Sequence, residues 1–133
     1  MEPLPASPTL LAIPETSQVR SVNQWVLLVF APVLVLTGLG GFLIPPELAL
    51  MSGAPPYNAF HLVFGAVGIA LVLFGRPDHA VSFNVGFGAL DLYQAVASLA
   101  HWWPESLFLW TWADDLAHVV IGLALVAVGL SRR

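Results

Sequence analysis

Two stretches of the chain set the same kinds of polar residue ahead of the same kind of apolar run. Asn58-x-x-His61-Leu62-Val63-Phe64-Gly65 recurs as Asp115-x-x-His118-Val119-Val120-Ile121-Gly122. An imidazole nitrogen is a good axial ligand, and a matched pair beside a flat, glycine-lined gap has the parts needed to hold a haem or a chlorophyll-type macrocycle. The same residues also make a packing device. Glycines let two helices approach closely, while Asn58 and Asp115 cap helix starts and bond to the neighbouring imidazoles. Packing is the better supported of the two, because haem propionates would find no arginine or lysine on that side.

A second polar set lies between the two copies. Asn84, Asp91, Gln94, Ser98 and His101 fall within about a 100° arc at 100° per residue, so they form one stripe along a helix. Asp91 sits near the middle of that helix. If the helix crosses a bilayer, an acid at that depth costs on the order of 3 kcal/mol and must face protein, a partner or water. Three uses are open: polar glue with Gln94 bonding Asp91, a proton or ion path, or contact with another subunit or cofactor.

Residue inventory removes other chemistries. The chain has no cysteine, so disulfides, thiolate metal sites and cysteine nucleophiles are excluded, and no lysine, so Schiff-base cofactors are too. Its net charge of −4 and lack of a basic patch argue against nucleic acid. No phosphate-binding glycine loop, nucleophile elbow or paired-histidine zinc motif occurs. No metal site and no enzyme activity are expected.

The elements that must position these residues are long and apolar. The 133 residues are 58% hydrophobic and only 9% charged, with a mean hydropathy of +0.84; soluble chains carry about a quarter charged residues. Four stretches approach the roughly 20 residues that a membrane-crossing helix needs: Trp25 to Ile44, Tyr57 to Phe74, Ala80 to Ala100 and Trp112 to Leu130. Prolines at 45–46, 55–56, 77 and 104 punctuate the connections. Period-two alternation is absent, so the expected fold is all-α, an integral membrane four-helix bundle over residues 20–133. The matched histidine stretches suggest two helical hairpins related by a pseudo-twofold axis along the membrane normal. Residues 1–19 hold four prolines and one short apolar run, which reads as a disordered tail.

All four arginines fall on one side: Arg20, Arg76, Arg132 and Arg133. By the positive-inside rule both termini are then cytoplasmic and the protein is multi-pass in the cell's inner membrane. The opposite face carries Glu47, Glu105, Asp114 and Asp115 with Trp102, Trp103, Trp110 and Trp112, an aromatic belt at the membrane interface.

Asn58-Ala-Phe-His61-Leu-Val-Phe-Gly65-Ala-Val-Gly68, together with Ala113-Asp114-Asp115-Leu-Ala-His118-Val-Val-Ile-Gly122, resembles the bacterial four-helix membrane family catalogued as domain of unknown function 4383. The resemblance covers about residues 25–130. It implies four transmembrane helices, supplies no activity, and carries its pattern to Asn58, His61, Gly65, Asp114, His118 and Gly122. The stripe around Asp91 and the Pro-rich tail lie outside that pattern.

The function expected from all this is a non-catalytic accessory or structural subunit of a larger membrane complex, photosynthetic or respiratory, with the bilayer and other membrane subunits as partners. The alternatives are a haem or chlorophyll carrier built on His61 and His118, and a small proton or solute transporter built on Asp91. The arginine count makes a first prediction. Reporter fusions at Arg76 and Arg133 should register as cytoplasmic and a fusion at Ser106 as external; an external signal at Arg133 would reverse the orientation.

Overall fold

The computed structural model describes residues 20–131. The segment 1–19, expected to be a disordered tail, and Arg132 and Arg133 lie outside the described residues. Among those described the chain is helical, without strands. In order come α1 (Val22–Leu43), a 3₁₀ turn (Pro46–Leu48), α2 (Pro55–Phe74), α3 (Pro77–Ala100), the single turn α4 (Glu105–Phe108) and α5 (Trp112–Leu130).

Local chemistry sets these limits. Ser21 opens α1 as a capping box: its hydroxyl accepts from the Gln24 N–H at 3.3 Å while the Gln24 side chain accepts from the Ser21 N–H at 2.9 Å. Proline lacks an N–H and has its φ preset, so it suits the first turn of a helix. Pro55 and Pro56 accordingly begin α2 and Pro77 begins α3, where the sequence placed them just outside. Thr111 opens α5 as a second capping box with Asp114.

Three helices, α1, α2 and α5, are long and apolar enough to cross a membrane. The 24-residue α3 has the length. It does not reach the same apolarity, because Asp78, Asn84, Asp91 and Gln94 sit on it.

α1 packs chiefly along α2, and α3 along α5, giving two hairpins whose tips are the connections 44–54 and 101–111. Glycines decide how closely each pair approaches. A Cβ on Gly65 would meet the Val35 nitrogen at 2.8 Å and the Ala31 carbonyl at 3.0 Å; one on Gly122 would meet the Gly88 carbonyl at 2.8 Å and Leu92 Cγ at 2.9 Å. These contacts are equivalent, each partner in the second set lying 57 positions after its counterpart in the first. Gly68 against the Ala31 methyl and Gly88 against the Leu125 methylene continue the correspondence.

Between the hairpins lies a core of Leu27, Ala31, Leu34, Val72, Phe83, Phe87 and Leu125. Phe87 is its centre: its ring lies 5.5 Å from Phe30, 5.3 Å from Phe64 and 5.4 Å from Phe83. Phenylalanines thus fill the α2–α3 side. On the α1–α5 side Val26, Val29, Phe30, Val120, Ile121 and Ala124 line an open apolar furrow of about 520 Å³.

Gly122→Ala should push α3 from α5 and cost about 1–3 kcal/mol, as overpacking of a close contact does. Gly86 faces open space, so Gly86→Ala should stay within about 0.5 kcal/mol of the parent. Denaturant titration in detergent, followed by helical circular dichroism, reads both; equal effects would mean that the Gly88–Gly122 approach is not limiting.

Candidate functional site: a buried polar cluster beneath the hairpin tips

The cluster grows from the start of α5. A helix N-terminus leaves backbone N–H groups unpaired, and Asp114 at the third position answers them locally while reaching across to the other hairpin. Its Oδ2 accepts from the Thr111 N–H at 2.7 Å and from the Ser52 N–H at 2.9 Å, and its Oδ1 accepts from the Tyr57 hydroxyl at 2.6 Å. The Thr111 hydroxyl lies 2.9 Å from Asp114 Oδ2 and 3.0 Å from the Leu50 carbonyl, and has one proton for the two. Ser52 adds a hydroxyl bond to the Phe108 carbonyl. Asp114, Tyr57 and Ser52 are all buried, so a carboxyl group with several donors from both hairpins clamps the two tips together.

The histidines stand one helical turn below. Both are buried, His61 at 6% exposure and His118 at 4%. His61 Nδ1 is 2.8 Å from the Tyr57 carbonyl of its own helix, which makes Nδ1 the donor and fixes the tautomer. Its ring lies 4.2 Å from that of Tyr57. His118 takes the edge of the Trp110 ring at 5.9 Å, and its Nδ1 has no partner.

Two expectations about Asn58 and Asp115 are corrected. Neither caps its helix and neither bonds to an imidazole: α2 starts after Ala54 without a side-chain cap, and Thr111 caps α5. Asn58 donates to the Gly53 carbonyl at 3.1 Å and leaves its Oδ1 unpaired, as Asp115 leaves its Oδ1. The reason is register, since each lies a full turn inside its helix, where the backbone N–H groups are already paired.

The glycine surfaces expected beside the histidines are filled, not open. Gly65 and Gly122 face the backbones of α1 and α3 at van der Waals contact, and Phe60 and Phe64 occupy the adjacent side. A porphyrin-sized plate has no slot along these glycines, so the residues present do not fit a macrocycle held between them.

α3 brings the second polar set inward. Asp91 is 3% and Gln94 2% exposed, and Asn84 is fully buried. Gln94 does not bond Asp91, and its Oε1 has no partner. Asn84 donates to the Asn23 side-chain oxygen at 2.9 Å and to the Asn23 carbonyl at 3.2 Å, while Asn23 donates to the Val128 carbonyl at 3.3 Å. This is a second polar clamp, at the end carrying the termini. Ser98 is half-buried and His101 exposed, so the stripe leaves the interior toward the tip.

Sequence reasoning passed over Tyr57, Ser52, Thr111 and Asn23, and it assigned to the interfacial belt a Trp110 that is half-buried against His118. Two signals were present: Thr111-x-x-Asp114 has capping-box spacing, and Tyr57 stands to Asp114 as His61 stands to His118. Among the described residues no group of three or more histidines and carboxylates is disposed to hold a metal ion. No protein-family model, curated protein or solved structure matches this chain.

Tyr57→Phe should cost about 1.5–3 kcal/mol, the usual loss for a hydrogen bond to a charged group. Asp114→Ala should cost more, because it strands donors from both hairpins. The double variant should fall well short of the sum, since neighbours in one network couple. Additive losses in the same unfolding assay would show that Tyr57 and Asp114 act independently.

Proposed function

We propose that this chain is a multi-pass integral membrane protein, a four-helix bundle of two pseudo-twofold-related hairpins that serves as a non-catalytic accessory subunit of a larger membrane complex. Support for the bundle comes from the repeated contacts at a 57-residue offset, which match a twofold axis along the membrane normal, and from three helices of spanning length. α3 completes the bundle by turning its polar stripe inward and its remaining surface, including Val96 and Leu99, outward. Membership of the four-helix family named above belongs to this proposal and rests on the two histidine stretches. So does the inner-membrane location with cytoplasmic termini, which rests on the arginines.

One observation carries the subunit reading: among the described residues, no side chain fills the α1–α5 furrow. Its counterpart between α2 and α3 is packed with Phe64, Phe83 and Phe87, whereas Val120, Ile121, Val29 and Ala124 leave theirs open. A second apolar depression of about 470 Å³ continues it toward Trp112 and Leu50 through the shared Val120 and Ile121. A furrow of that length, apolar throughout and running from Trp25 past Val120 and Ile121 to Trp112, suits a single apolar transmembrane helix of a partner protein. Asp91 takes no part in this docking, being enclosed within the chain.

Placing a photoreactive side chain at Val120 in native membranes tests the reading. The adduct should be a peptide from a partner's transmembrane segment, and the same probe at the equivalent Val63 should give lipid alone. Ala124→Trp, which fills the furrow, should abolish the partner adduct and release the bundle as a smaller species on native gels. Lipid adducts at both positions would mean that the bundle stands alone, and an adduct to this chain would mean a homodimer.

A further inference from the structure

The polar atoms around Asp91 carry a separate inference. Buried polar groups are nearly always paired, with protein or with ordered water. Here His118 Nδ1, Gln94 Oε1, Trp110 Nε1 and Asp115 Oδ1 are all buried without a partner, as are Asn58 Oδ1 and Asn84 Oδ1, and Asp91, 3% exposed, has no hydrogen-bond partner among the described residues. Counted from the Gly88–Gly122 crossing, Asp91 and Gln94 lie roughly 4.5 and 9 Å along α3 and His118 roughly 6 Å along α5, all toward the tips. These groups therefore occupy one band of the interior. Trp110 touches His118 from above.

The other direction is closed. One turn from Asp91 toward the termini stands Phe87, packed on Phe30, Phe64 and Phe83. Another turn on, Asn84 is bound to Asn23. Aromatic carbon separates the Asn84 clamp from the acid.

We propose that Asp91 is a proton-exchange site reached from the hairpin tips through hydrogen-bonded water bridging Trp110, His118 and Gln94, and closed toward the termini by the Phe30–Phe87 layer. It rests on the membrane-bundle reading but not on the docking furrow. In the uptake step a hydronium ion gives a proton to a carboxylate oxygen of Asp91: one O–H bond breaks on the hydronium, one forms on the carboxyl, and a water molecule is left. Release is the reverse, with no redox partner. The other titratable groups around the site are Tyr57 and His61 from α2, Asp114, Asp115 and His118 from α5, and Glu105 from α4 at the tip; α1 contributes none. Its ligand class is water and the proton, since the band offers single donors and acceptors on apolar walls rather than a cluster suited to a metal ion.

Infrared spectroscopy of the full chain in lipid nanodiscs tests access. A carboxylic C=O stretch should be present in the wild type, missing in Asp91→Asn, and shifted by D₂O within the mixing time. Gln94→Leu should slow that shift by roughly tenfold or more, as expected when a water-bridging acceptor is removed. No band lost in Asp91→Asn, a slow shift in the wild type, or a shift unchanged in Gln94→Leu would each overturn the proposal. Sidedness is read in phosphatidylcholine vesicles holding a pH gradient. Wild type should keep the gradient as protein-free vesicles do, Phe87→Ala should dissipate it, and Phe87→Ala with Asp91→Asn should keep it again. A leak that persists in the double variant, or a folded Phe87→Ala that holds the gradient, refutes the aromatic seal; Phe30→Ala serves if Phe87→Ala does not fold. Neither measurement depends on a partner, so loss of the docking result leaves this one intact.

Discussion

The carboxyl group of Asp114 is the constraint around which the two hairpins are arranged. Apolar burial holds α1 to α2 and α3 to α5, but it has little directional content, and in lipid even less, because the surrounding chains are as apolar as the helices. The bonds from Ser52, Tyr57 and Thr111 are directional. They fix the height and rotation of one hairpin against the other. With the tips set, the Asn23–Asn84 pair sets the opposite end, and the phenylalanines and Asp91 take the positions left between.

Such an arrangement needs its polar groups paired within the chain. The Asp114 carboxyl meets that need with both oxygens, the Asn23–Asn84 pair meets it only in part, with Asn84 Oδ1 unpaired, and Gln94 Oε1 and His118 Nδ1 are left without a partner. A paired set such as that around Asp114 rigidifies; an unpaired set such as Gln94 and His118 asks for small polar company. Glycine packing supports both, since close backbone approach at Gly65 and Gly122 keeps the helices near enough for short side chains to reach across.

Much of the framework could be read from residue types alone. The apolar runs and the prolines between them placed the long helices to within about three residues, because hydrophobic length and missing N–H groups are local properties. The inward turn of the α3 stripe followed from its single-face spacing. What was not legible was pairing. Asn58 and Asp115 drew attention as the matched polar residues, yet the bond between the hairpins joins Tyr57 to Asp114, one position earlier, a pair that the repeat aligns but whose unlike side chains do not register as a match. Ser52 and Trp110 lie in connections whose path depends on the assembled tips, so their partners become known only once the helices are in place. The histidine pair looked like a ligand set because spacing reports which residues share a face, and not whether the space before that face is filled.

The Tyr57–Asp114 bond has a further consequence for how the two halves recognise each other. These residues hold corresponding places in the two hairpins, and each needs the other's chemistry: a phenol to give the proton and a carboxyl to receive it. Two copies of the first hairpin would set phenol against phenol, and two copies of the second would set carboxyl against carboxyl. The halves are therefore complementary in the manner of a plug and socket, and a chain divided at the short Gly75–Arg76 connection should reassemble as a mixed pair in preference to either pair of like halves.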